Sequence, residues 1–177
     1  MSFFEIKPAF LPERDRFAYA ELTYEGSGAS PWKAWLGRAT TIEEARAIPQ
    51  PFATSWWQKH KPKHKELPDW PYNSYLRPVC SKRAWAVMQQ LCPQMHWIQL
   101  PPIEDGKECE WGVLWGYPEA NAKSVDEKTP HFFVAEKPEK IMRRYFVSET
   151  LKKAFEGAEM LGMEFSLLDG ALIAGME

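Results

Sequence analysis

The sequence predicts an α+β fold: a mixed, largely antiparallel sheet with packed helices, and a β–helix–β repeat in its C-terminal part. Short apolar runs bounded by turn residues recur along the chain, as strands require. Two stretches place a serine just before apolar residues at helical spacing, the pattern of a capped amphipathic helix. These two stretches also align at a single offset, since Ser81 and Ser148 lie 67 positions apart.

Each element follows from local chemistry. "FAYAELTY" (17–24) reads as a strand, and "EGSGASP" (25–31) as a connecting loop. "TTIEEARAI" (40–48) carries a capping box, in which Thr41 caps the helix and Glu44 reaches back, and the helix stops before Pro49. Between Pro49 and Pro78 six prolines interrupt both helical and strand periodicity, which predicts a long irregular connection. The chain thus divides into an N-terminal part, residues 1–70, with a short helix and a proline-rich connection, and a C-terminal α+β part, residues 71–177. The two also read as halves of one compact domain.

The C-terminal part is more regular. Residues 79–103 predict strand, helix, strand, with Ser81 as N-cap and Ala84, Val87, Met88 and Leu91 on one helical face. Pro93 ends that helix and "HWIQL" alternates as a strand. "EWGVLWGY" (110–117) and "HFFVAE" (131–136) are further strands. Tyr145, Phe146 and Val147 then lead into Ser148, the cap of a second helix whose apolar face is Leu151, Ala154, Phe155 and Ala158. Gly157 costs that helix about 1 kcal/mol relative to alanine, so packing must hold it. Gly162 is expected to close the helix in the left-handed conformation. The 67-residue offset carries Ile98 and Leu100 onto Phe165 and Leu167, so cap, helix and strand all stay in register. Asp169-Gly170 between apolar runs is the strongest hairpin signal of the chain.

Bulk properties narrow the function. The 177 residues carry 22 basic and 24 acidic side chains, a net charge of −2, which disfavours nucleic acid as the main partner. No run of about 18 apolar residues offers a membrane span. The first residues lack the pattern of a secretory signal. Three cysteines without a C-x-x-C pair fit reduced thiols in a cytoplasmic protein.

Candidate chemistry is sparse. His60 and His64 have the spacing of metal ligands on one helical turn, but Pro62 lies between them, and a solvated basic loop is the expected reading. No nucleophile elbow or phosphate-binding glycine loop is present. No catalytic residue, metal ligand or cofactor site is therefore expected. Cys80 and Cys92 flank a helix as buried thiols do, and His96 and His131 sit in apolar surroundings. Lys59, Lys61, Lys63 and Lys65, just after Trp56 and Trp57, leave a nucleic-acid loop as an alternative. An enzyme of unrecognised type, with a cleft between the two parts, is the other.

Residues 131–165 resemble the C-terminal signature of the Imm11-like immunity proteins, built around the domain called DUF1629. The correspondence runs through Phe132–Phe133, Phe146–Val147–Ser148–Glu149, Leu151 to Ala158, and Gly162–Phe165. The unit around Ser81, ending in Leu100–Pro101, is similar to the family's upstream helix, so the likeness spans roughly residues 75–168. The resemblance implies a bacterial cytoplasmic protein that binds and neutralises a cognate, secreted or contact-delivered toxin, with no catalysis of its own. Anchors for such a partner are expected at Trp56, Trp57, Trp70, Trp111 and Trp115, and charged contacts at Glu104, Asp105, Glu108 and Glu110.

Overall fold

Two capped helices, each set between two strands, organise the molecule. The computed structural model describes residues 1–9, 20–23, 41–47, 52–55, 68–71, 78–100, 111–135 and 144–169. In chain order they form β1 (Phe3–Pro8), β2 (Ala20–Thr23), α1 (Ile42–Ala47), β3 (Phe52–Ser55), β4 (Val79–Ser81), α2 (Lys82–Leu91), β5 (His96–Gln99) and β6 (Trp111–Trp115). Then come β7 (Glu119–Ala120), a 3-10 turn (Ala122–Ser124), β8 (Phe132–Ala135), β9 (Tyr145–Ser148), α3 (Glu149–Gly157) and β10 (Met163–Leu167). The strands assemble into a five-stranded sheet of order β10-β1-β9-β8-β7, a three-stranded sheet β4-β6-β5 and a β2-β3 pair. All ladders are antiparallel except β7 with β8. This is the α+β class that the sequence predicts.

The predicted repeat has a close structural counterpart. Ser81 and Ser148 adopt φ/ψ of −67/159° and −68/160°. Each hydroxyl accepts the N–H three residues on, from Ala84 at 3.0 Å and from Leu151 at 3.2 Å. The 67-residue offset carries Ala84 onto Leu151 and Met88 onto Phe155, and all four are buried. It also carries the first residue of β5, His96, onto the first of β10, Met163. The helices pack on one another and on a shared core that includes Ile6, Leu114, Phe132, Val134, Tyr145 and Val147. The opposite face of the five-stranded sheet gathers Phe3, Phe133, Phe146 and Ala135 with Ala122. There the Phe133 and Phe146 rings stack at 5.2 Å and Phe3 meets Phe133 edge-on at 5.6 Å.

Several expectations need correction. β1 was not expected at all: its residues are buried on both faces, so "FFEIKP" shows no alternation of apolar and polar side chains. It lies between β9 and β10, so residues 3–8 belong to the sheet of the C-terminal part. The proline-rich stretch expected to be irregular contains β3, paired with β2 from Ala20↔Ser55 to Thr23↔Phe52. Four residues suffice for such a pair, too few to impose a readable period. Gly162 does not close α3. The helix ends at Gly157, and Glu159 takes the left-handed position with φ 51°. Glu159 N–H donates to Glu156 O at 3.0 Å and Met160 N–H to Phe155 O at 3.1 Å, the pairing of a Schellman motif. Gly162, with φ 75°, serves instead the turn into β10, where a Cβ would collide with Pro68. The capping box of α1 forms as expected, with Glu44 N–H on Thr41 Oγ1 at 3.2 Å and Thr41 N–H on Glu44 Oε2 at 3.4 Å. Of the predicted hairpin, Gly170 onward lies outside the described residues.

Candidate functional site

Among the described residues, three polar clusters stand out within an otherwise apolar interior. The first centres on Asp69, only 3% exposed. Its carboxylate accepts from the Ser81 hydroxyl, from Arg83 through Nε and Nη2, and from the Leu161 N–H at 2.8 Å. Its backbone closes the same joint: Asp69 N–H donates to Leu161 O and Ser81 N–H to Asp69 O, both at 2.8 Å. Arg83 continues to Glu159 O at 3.3 Å. Burial alone would raise the Asp69 carboxyl, but the hydrogen bonds from Arg83, Ser81 and Leu161, with the Arg83 charge, outweigh it and hold the group below its usual range. The cluster therefore ties the start of α2 to the end of α3 with every carboxylate oxygen occupied.

The second cluster is its counterpart at the other cap. Ser148 N–H donates to His131 O at 2.8 Å, and Ser148 Oγ lies 2.6 Å from His131 Nδ1. A serine hydroxyl at hydrogen-bond distance from an imidazole is the arrangement of an activated nucleophile. Here, however, the serine is 0% exposed and its oxygen already accepts the Leu151 N–H. With the ring proton on Nε2, the hydroxyl donates to Nδ1 and both groups are satisfied as a cap. The third cluster is Glu5, 6% exposed in the middle of β1, with Arg144 Nε at 2.9 Å from one oxygen and Lys7 Nζ at 3.6 Å from the other. The oxygen facing Lys7 has no hydrogen bond.

The two described thiols, Cys80 and Cys92, are buried, and burial disfavours their thiolate forms. Burial, reinforced by the Asp69 charge, pushes Cys80 far up, against one opposing hydrogen bond from Trp97. Burial likewise raises Cys92 to about 11. Among the described residues no group of three or more His, Cys, Asp or Glu side chains could hold a metal ion. Asp126 is engaged locally, accepting the Lys128 N–H at 2.9 Å within a turn closed by Thr129.

The expected partner anchors separate sharply. Trp70 is 3% exposed and meets Phe132 at 6.2 Å between ring centroids. Trp111 is 2% exposed and donates from its indole nitrogen to Pro68 O at 2.9 Å. Both rings complete the core, which leaves neither as a surface anchor. Trp115 is different: it is partly exposed at the far end of β6, where His96 of β5 lies 5.8 Å away between ring centroids. Trp111, which follows the acidic stretch in sequence, stands at the opposite end of that strand. The two tryptophans stand about 13 Å apart along the strand. Trp56, Trp57, Glu104, Asp105, Glu108 and Glu110 lie outside the described residues, as do His60, His64 and the four lysines of the basic loop.

Sequence reasoning missed Asp69 and Glu5. Neither carried a signal, because a single carboxylate between prolines or phenylalanines looks solvated until its partners are known. No protein-family model matches the chain, and no curated protein matches it.

Proposed function

We propose that this chain is an immunity protein, which binds a cognate toxin in the bacterial cytoplasm and blocks it by covering its active or interaction surface. The observation that carries the reading is the likeness of residues 131–165 to the Imm11-like signature. Its described residues fall in order on β8, β9, the Ser148 cap, α3 and β10. A likeness that follows a unit in order is stronger support than one scattered over a surface.

The Trp115–His96 pair supports a role in protein binding. Tryptophan is enriched among residues whose truncation costs most at interfaces, because a large rigid ring is desolvated at little entropic cost. Trp115 supplies such a ring at a partly open rim, on a strand otherwise buried in the core.

Co-expression with the product of the reading frame immediately upstream, which the proposal requires to be toxic on its own, tests it. Restored growth, together with recovery of a complex of the two chains after purification, is expected. Unrelieved toxicity without complex formation would overturn it.

A further inference from the structure

The repeat extends beyond the two helices. In the first unit, β6 lies antiparallel between β4 and β5; in the second, β1 lies antiparallel between β9 and β10. The pairings correspond: Ser81 faces Trp111 as Ser148 faces Phe3, and Val79 faces Val113 as Phe146 faces Glu5. On the outer side the match slips by one residue, since Ile98 faces Val113 while Phe165 faces Ile6. The flanking segments correspond as well. Asp69 O and His131 O each accept the N–H of the cap serine at 2.8 Å. Each side chain also engages that serine's hydroxyl. The next residues, Trp70 and Phe132, face one another where the units meet.

We infer that the molecule is an internally doubled fold in which β1, reaching the second unit from the opposite end of the sequence, is a docked strand able to open while the first unit stays closed. Two observations make β1 the weaker of the equivalent strands. Its partners on β9 are 139 to 145 positions away, from Ile6↔Tyr145 to Phe3↔Ser148, whereas those of β6 on β4 are only 30 to 34 away. Its centre also carries buried Glu5, with one oxygen lacking a hydrogen bond, where β6 carries fully buried Val113. The Glu5 carboxylate is ion-paired to Arg144 and, more loosely, to Lys7, yet burying it with one oxygen not hydrogen-bonded weakens the docked state, and closing a ladder over so long a separation carries a larger entropic cost.

Native-state hydrogen exchange on the full chain tests this. The amides of β1 and those of β9 and β10 that face it should exchange through one shared opening, at least tenfold faster than the amides of β6. A cross-strand lock sharpens the result. Leu168 N–H donates to Phe3 O, so Phe4 and Leu167 form the adjacent non-hydrogen-bonded pair, whose Cα atoms approach most closely. In the Phe4→Cys/Leu167→Cys double variant, oxidation should abolish the shared opening and reduction should restore it. Equal protection of β1 and β6, or an opening that survives oxidation of the lock, would overturn the inference.

Discussion

Glu159 occupies a backbone position that normally belongs to glycine. Its φ of 51° places it at the left-handed site of the Schellman motif that ends α3, where a Cβ is strained. Replacing it by glycine relieves that strain while keeping the carbonyl that receives Arg83. Glu159→Gly should therefore stabilise the protein by about 0.5–1 kcal/mol, read as a higher urea midpoint with an unchanged slope. Asp69 behaves in the opposite way, because three donors depend on it. Asp69→Ala should cost about 3 kcal/mol, since Arg83, Ser81 and the Leu161 N–H are left short of an acceptor. Its lowered pKa also sets a pH dependence. A carboxyl depressed in the folded state binds fewer protons there than when unfolded. Its stabilising contribution is thus complete above the ordinary carboxylate value near 3.8 and is lost as pH falls through the folded value. Urea midpoints of the parent and Asp69→Ala proteins should converge as pH falls below about 4.

At the scale of elements, the two caps offer a matched comparison. Both serines accept a helix N–H, so each alanine substitution loses a cap contribution of about 1 kcal/mol. Ser81→Ala additionally removes a donor to Asp69, whereas Ser148→Ala leaves His131 without its partner. Both should exceed a simple cap loss, to about 2 kcal/mol, in thermal or urea unfolding. The three-stranded sheet has its own sensitive point at Gly112. The Trp97 ring crosses directly over it and donates to Cys80 O at 3.1 Å. A Cβ there would collide with that ring and with Ile98 O, so Gly112→Ala should destabilise by at least about 2 kcal/mol. These elements were unequally visible in the sequence. The capped helices were legible because cap chemistry and 3.6-residue spacing are local signals. β1 and β3 were not: one is buried on both faces, the other is too short to show a period. Whether a tryptophan packs inward or faces solvent depends on what crosses it in space, so Trp70, Trp111 and Trp115 looked alike until β6 and the 68–71 segment were placed.

At the scale of the molecule, the doubled unit separates scaffold from surface. The stretch that carries the resemblance, residues 131–165, supplies in its described part buried strand, cap and helix; no partner is asked to touch it. Among the described residues, no helix is long and apolar enough to cross a membrane. Of the expected anchors that the structure describes, only Trp115 is partly exposed, and it lies beside His96. The immunity reading therefore concentrates on one rim. Calorimetric titration of the upstream gene product, the partner the proposal requires, into the parent protein and into Trp115→Ala measures it most directly, with melting temperature as the control for folding. Loss of an interface anchor should weaken binding by about 30-fold, equivalent to about 2 kcal/mol, with an unchanged melting temperature. Unaltered affinity in a folded Trp115→Ala protein would contradict the account.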